Sequence, residues 1–361
     1  MKLAHFEALR PVCPRCLNRS VEAPLALAVH ESGDEASVEH GILRCTDAAC
    51  HTEYPIIRGL PILLPNAPEF IAQNAASLLA VDELPPMIAA AMGEGAGGGS
   101  WFEAARQHVS TYAWDHYCAS DPTLLAATSG DAVPGFAMRT IDRMVAEGGV
   151  CGSGSAIELG TGVGGALLQL AQHTSGLVLG IDMHVPMLRF ARRTLQTGFA
   201  EFDLRSAGFL YRRVRQRIAI DHAARIDHWC CDATCPPFAS GAFATVVGLN
   251  VLECVPSPLD LLRAMERILA PEGRFGLCTP YDWSVTVSKP EYWVGGHSPR
   301  GWFAGDPARV LEALLTPGAH AASLGGLKIE KVLDDLSWHV RTHDRGSMHY
   351  RVHLVTGSRT A

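Results

Sequence analysis

The stretch AIELGTGVGG, residues 156–165, constrains the fold more than any other in the chain. A short apolar strand runs into Gly160, Gly162 and Gly164, and then into ALLQLAQHT, apolar at helical spacing. GLVLGID follows as a second strand that ends on Asp182. Strand, glycine turn, helix and strand make the unit of a doubly wound parallel α/β sheet, with a right-handed crossover. Residues without a Cβ admit a ligand close to the main chain, and the helix N-terminus offers N–H groups to an anion. Ligands of such sheets lie beyond the carboxyl ends of the strands, which places Asp182 for ribose hydroxyls.

An acid about 20 positions after the glycines is also the signature of a dinucleotide site. Three features separate the readings. Glu158 precedes the glycines, where a carboxylate would repel a pyrophosphate but can accept from an ammonium-bearing ligand. HWCCDATCPPF, residues 228–238, reads as a third strand followed by Asp232, which can accept from an adenine amino group, and Ala233, whose N–H can donate. The tail KIEKVLDDLSWHVRT…SMHYRVHLVTGS reads as two long strands joined by a polar turn, suited to a sheet whose last strand is antiparallel.

Taken in series, ELGTGVGG, GIDMHVPML, CCDATCPPF, VVGLNVLECVPSP and GRFGLCTP, within residues 156–280, resemble the motifs of class I S-adenosylmethionine-dependent methyltransferases. The resemblance implies a seven-stranded Rossmann-like sheet and S-adenosylmethionine as methyl donor, with S-adenosylhomocysteine as product. By the same resemblance Glu158, Gly160 and Gly162 hold the methionine end, Asp182 the ribose, and Asp232 and Ala233 the adenine. Asn250 and Val251 line the space beside the sulfonium, and Thr161, Gly164 and Met183 belong to the same site.

The N-terminal region carries a second pattern, CPRC (Cys13, Cys16) and, 28 residues on, Cys45 and Cys50. Two close pairs suit two knuckles meeting on one tetrahedral ion, and four thiolates with no open position favour a structural zinc. A segment of this size has little core of its own, so metal would supply folding energy. The second knuckle is C-x4-C, and His51 beside it is a substitute ligand to weigh. The two pairs and YPIIRGLPILLP, residues 54–65, resemble the small zinc-ribbon family that accompanies or activates methyltransferases. The expected organisation is a zinc ribbon over 1–66, a helical linker and lid over 67–148, and a methyltransferase domain over 149–361 with an acceptor-site insert at about 279–326. PPMIAAAMGEGAGGGS, residues 85–100, reads as a flexible break. WFEAARQHVSTYAWDHY reads as a helix whose aromatics either fill a core or close over the donor.

The acceptor is less legible, because a sulfonium carries its own activation and the protein mainly aligns and encloses. The insert TPYDWSVTVSKPEYWVGGHSPRGWF, residues 279–303, holds Tyr281, Asp282 and His297 as candidates to orient or deprotonate an acceptor. Its PY-W (Pro280, Tyr281, Trp283) and W-GG (Trp293, Gly295, Gly296) resemble the methyltransferase domain of ovothiol-biosynthesis enzymes, which implies a small nitrogen heterocycle as acceptor class. The rival is an RNA or protein methyltransferase, to which YRRVRQR (residues 211–217) with Arg189, Arg192 and Arg193 would offer cations; a solvated helix face explains them equally. A net charge of −7 and NVLE, where amino-directed nucleic-acid enzymes carry N/D-P-P-Y/F, argue against nucleic acid. A third reading is a non-catalytic partner subunit that binds the donor. Cys230, Cys231 and Cys235 read as buried thiols. No apolar run approaches the roughly 20 residues of a membrane span, and the N-terminus shows no secretory pattern, so the expected location is cytoplasmic; a homodimer stays open.

Overall fold

The computed structural model describes residues 1–81, 84–119 and 132–360, so part of the expected lid segment lies outside the described residues. The chain begins with α1 (Leu3–Leu9) and α2 (Pro14–Leu17), then an antiparallel meander of β1 (Leu25–Gly33), β2 (Val38–Cys45), β3 (Glu53–Ile57) and β4 (Leu60–Leu63). Helices α3 (Ala67–Leu79), α4 (Pro86–Ala96), α5 (Trp101–Tyr117) and α6 (Phe136–Gly148) lead to β5 (Ala156–Leu159). Then follow α7 (Gly165–His173), β6 (Val178–Asp182), α8 (Val185–Thr197), the hairpin β7 (Phe199–Ala207) and β8 (Leu210–Arg217), and β9 (Ile226–Cys231). The last elements are β10 (Phe243–Leu249), α9 (Pro258–Ile268), β11 (Leu269–Thr279), α10 (Pro307–Leu314), β12 (Leu327–His343) and β13 (Gly346–Arg359).

The main sheet runs β1-β2-β3-β4-β9-β6-β5-β10-β11-β13-β12. It has eleven strands, seven from residues 149–361 and four from the N-terminal meander, which was expected to stand apart and instead continues the sheet: β4 pairs in parallel with β9, Ile62 opposite Cys230 and Leu63 opposite Cys231. From β4 to β11 the strands are parallel, and β13 enters antiparallel beside β11, as the tail implied. The chain leaves β5 first toward β6 and β9, then returns to β10 and β11 on the other side. The order therefore reverses between β5 and β10, which opens the crevice where such sheets bind ligands. All residues of β5 and β9 are buried, as strands covered on both faces must be.

Two further expectations are corrected. The glycine-rich break contains a helix, α4, because Pro85 and Pro86 start it and an alanine run carries it; its glycines lie near the end. YRRVRQR is no helix face but strand β8. Arg192 and Arg193 of α8 also turn inward: Arg192 pairs with Glu39 and Asp227, and Arg193 donates to the Glu201 carbonyl. Among the described residues no helix is long and apolar enough to cross a membrane.

Asp227 on β9 joins the N-terminal strands to the core. It is 2% exposed and accepts from the Lys2 backbone N–H at 2.8 Å and the Trp229 indole at 2.9 Å, with Arg192 at 3.6 Å. Burial alone would raise its pKa, but the amino terminus of the chain, with His5 and the Arg192 guanidinium, holds it well below the usual carboxylate range. Asp227→Ala leaves these donors unpaired in the interior, and a loss of about 3 kcal/mol is expected in urea unfolding. A midpoint unchanged from wild type would show that the network carries no stability.

Candidate functional site

The glycine loop is shaped by its neighbours on three strands. Gly160, Gly162 and Gly164 all have positive φ. A Cβ on Gly160 would lie 2.5 Å from Cγ2 of Val251, and one on Gly164 would lie 2.6 Å from Nε2 of His228. Side chains at either position are excluded by space as well as by backbone conformation. Thr161 donates its hydroxyl to Glu158 Oε2 at 2.8 Å, inside the loop. Asp182, at the end of β6, accepts from the Gly162 N–H through Oδ2 and from the His184 N–H through Oδ1, both at 2.8 Å. Met183 beside it is 43% exposed.

Glu158 is fully enclosed, and burial pushes its carboxyl up to about 8; the nearby Asp182 charge adds to the rise and the Thr161 hydroxyl opposes it. Across the crevice, Asp232 uses Oδ1 to accept from the Thr234 N–H at 2.8 Å and hydroxyl at 2.7 Å. It thus caps its own turn, with Ala233 buried next to it. Asn250 adopts φ 51°, its N–H bonds to the Cys278 carbonyl at 2.9 Å, and its amide oxygen accepts from the Cys278 thiol at 3.4 Å.

The expected lid helix α5 is anchored on this loop rather than standing off it. The Tyr117 hydroxyl donates to the Val163 carbonyl at 2.7 Å, and the Gly165 N–H donates to His116 Nδ1 at 3.1 Å. Trp114 and Tyr117 are core. Tyr112 is half-buried: burial raises its pKa, and the nearby Cys254, Glu253 and Asp182 add to the rise.

Beyond β10 and β11 lies a second group of side chains. Glu253 is 5% exposed; its Oε2 accepts from the Thr279 hydroxyl at 2.7 Å, and burial pushes its carboxyl up to about 7. Tyr281 has φ 56°, and its hydroxyl lies 2.6 Å from His353 Nδ1. Asp282 accepts from the Tyr350 hydroxyl at 2.7 Å. Trp283 and Trp293 stack at 5.9 Å and 9°. Tyr281 and Asp282 thus each meet β13. His297 does not join them: it is exposed at the rim of the insert, with no hydrogen bond to either among the described residues. Sequence reasoning passed over Glu253, Tyr350 and His353. Glu253 stood in NVLE as an acid just past a core strand, a usable signal; the β13 residues gave none, since only the sheet order brings them here.

The four N-terminal cysteines form a separate cluster. Their sulfurs all lie within 4.8 Å of one another, with Cys13 to Cys50 at 3.8 Å and Cys16 to Cys45 at 3.7 Å. The Tyr54 hydroxyl stands 3.1 Å from Cys13 Sγ, and Arg19 donates to Cys16 Sγ at 3.5 Å. His51 is exposed and outside the cluster.

Residues 157–277, from the glycine loop into β11, match the family model of a methyltransferase domain. No curated protein matches the chain. Among solved structures, the [4+2]-cyclase SpnF is 16% identical, over 65% of this chain and 86% of that one, with a TM-score of 0.41. A SAM-dependent methyltransferase from Methanosarcina mazei is 17% identical, over 58% and 93%, with a TM-score of 0.37. A protein from Methanococcus maripaludis is matched over 54% of its length and 39% of this chain, at 15% identity and a TM-score of 0.31. The matched residues and the crevice that Glu158, Asp182 and Asp232 surround coincide, and residues 157–277 carry a methyltransferase domain.

Proposed function

We propose that the enzyme methylates a small nitrogen heterocycle of imidazole type. The observation that carries this reading is Glu253, a buried carboxyl held near neutrality at the carboxyl end of β10. A ring N–H must shed its proton as the methyl arrives, and a group with a pKa close to ambient pH serves as base. Asp282, Tyr281 and Tyr350 around it supply hydrogen-bonding partners and flat faces for a small ring. The arginines of β8 speak against RNA: Arg212, Arg213 and Arg215 pair with Asp344, Asp203 and Glu201, which leaves little free cation for phosphates.

In this reading Asp182 accepts from the ribose hydroxyls, and Asp232 offers Oδ2 to the adenine amino group while Ala233 donates its N–H. Asn250 and Val251 flank the sulfonium, and Glu158 receives the ammonium. Once bound, the donor supplies an activated methyl; the protein aligns the acceptor and excludes water. We propose further that the four cysteines hold one structural zinc. A tetrahedron of thiolates about 2.3 Å from zinc has edges of about 3.8 Å, which the two close sulfur pairs match.

The reading is tested with methyl-labelled donor, a panel of imidazoles and other heterocyclic amines, and bulk RNA. Label is expected in an imidazole and not in RNA, and Glu253→Gln is expected to cut turnover roughly 100-fold. Label confined to RNA would overturn it.

Glu158 gives a pH signature. Its carboxyl goes from 4.5 to about 8, so in the empty site at pH 7 it is mostly protonated, and an arriving ammonium displaces that proton. Donor affinity is expected to rise about tenfold per pH unit from pH 6 to 8 and then level off. Calorimetry in buffers of different ionisation enthalpy should show release of about one proton at pH 7. Glu158→Gln should abolish both effects; a pH-independent affinity in wild type would refute the role. The same shift makes the group's stability contribution largest below pH 4.5 and lost as pH rises through about 8, so the empty enzyme is less stable at pH 8 than at pH 5 in this respect.

A further inference from the structure

Behind Tyr281 the polar side chains form a line. The hydroxyl of Tyr281 is 2.6 Å from Nδ1 of His353, and Nε2 of His353 is 3.5 Å from Oε1 of Glu312. His353 is 3% exposed on β13, whereas the Glu312 side chain on α10 is 40% exposed. The line runs from the acceptor side of β11, through the interior, to solvent. Three separate elements place its three members, so no local turn or cap explains it. Among the described residues, His353 Nε2 makes no hydrogen bond, and the Glu312 carboxylate at 3.5 Å is an ion-pair contact only.

The geometry points to His353 as a positioning residue that, with Glu312, forms a proton exit for the acceptor through Tyr281. The inference rests on the heterocycle reading. The ring nitrogen forms its bond to the methyl carbon as the carbon–sulfur bond breaks and its electron pair returns to sulfur. The nitrogen that attacks is the bare one; the proton on the other ring nitrogen passes to the Tyr281 oxygen, either directly or from Glu253, while the phenol proton moves to His353 Nδ1. The imidazolium so formed faces the Glu312 carboxylate and loses a proton to water there. Tyr281 ends as a neutral phenol and His353 as a neutral ring with hydrogen on Nδ1; a proton taken up again at Nε2 by way of Glu312, with the Nδ1 proton released through Tyr281 to water in the vacated site, restores the resting tautomer. This route needs the His353 tautomer with hydrogen on Nε2 and a bare Nδ1 at rest.

The groups facing His353 are Tyr281 of the insert, Glu312 of α10, Asp306 before α10 and Asp334 of β12. Burial lowers the pKa of His353, and these carboxylates offset part of the fall. Protonation of His353 blocks the route, so a second ionisation below the ordinary histidine range is expected to join the acid limb that Glu253 sets.

The tautomer is read first, by long-range nitrogen–proton NMR of the full chain labelled at histidine, with the His353 signal assigned through His353→Asn. An Nε2–H ring supports the exit; an Nδ1–H ring overturns it, with or without an acceptor in hand. Kinetics then read the step. His353→Asn and Glu312→Gln are each expected to lower kcat about 30-fold, with KM and calorimetric donor affinity unchanged. His353→Asn should lose the lower ionisation of the acid limb and keep the one that Glu253 sets. Tyr281→Phe combined with His353→Asn should be no slower than the slower single variant. Multiplying losses, or an unchanged kcat in the partly exposed Glu312→Gln, would overturn the exit. A wild-type enzyme that labels no heterocycle breaks the functional reading instead.

Discussion

Asp182→Ala is expected to weaken S-adenosylmethionine binding at least about 100-fold in titration calorimetry. Two ribose hydroxyls donating to a carboxylate contribute about 3 kcal/mol together, which sets that factor. A second loss adds to it, because both oxygens of Asp182 also hold backbone N–H groups, of Gly162 in the loop and of His184 beyond β6. The substitution therefore removes a ligand contact and loosens the turn that admits the ligand. Asp182→Asn keeps one acceptor oxygen for the backbone and should fall between wild type and alanine. Affinity within threefold of wild type in Asp182→Ala would remove Asp182 from the donor site.

The second large effect is expected at the cysteine cluster. Freshly purified enzyme should carry one zinc per chain by elemental analysis, and Cys45→Ser should lose it. A four-thiolate zinc contributes on the order of 10 kcal/mol to folding of a small module, so even partial loss should lower the thermal midpoint by on the order of 10 °C. Chelation at elevated temperature should reproduce the shift. Turnover of the folded remainder at low temperature should persist, since the sulfurs belong to α2 and the N-terminal meander and not to the crevice. Metal-free protein with an unaltered midpoint would refute the site.

The parts of the site that were readable in the sequence are local. Strand, glycine turn, helix and acid lie within residues 156–182, where periodicity and the absence of side chains carry the information. The antiparallel end of the sheet was readable from two long strands. What escaped depends on contacts between distant segments. Nothing in LPIL announces that β4 will lie against Cys230 and Cys231, because an apolar run of that length suits either a hairpin end or a sheet edge. The helix α4 was hidden by its glycines, and the arginines of β8 looked like a patch until their acidic partners on β7 and near β13 were in place. The partners on the acceptor side escaped in the same way. His297 is near Tyr281 and Asp282 in sequence, but the partners they meet are Tyr350 and His353.

The junction of β4 with β9 has a practical consequence for anyone trimming this enzyme to a minimal catalytic core. A version cut after the meander would bare the flank of β9, a hydrophobic strand with its main-chain donors and acceptors turned to solvent. Such flanks recruit other strands, so the shortened protein should precipitate or self-associate unless a replacement segment shields it. The amino-terminal module works as a guard on solubility, whatever else it does.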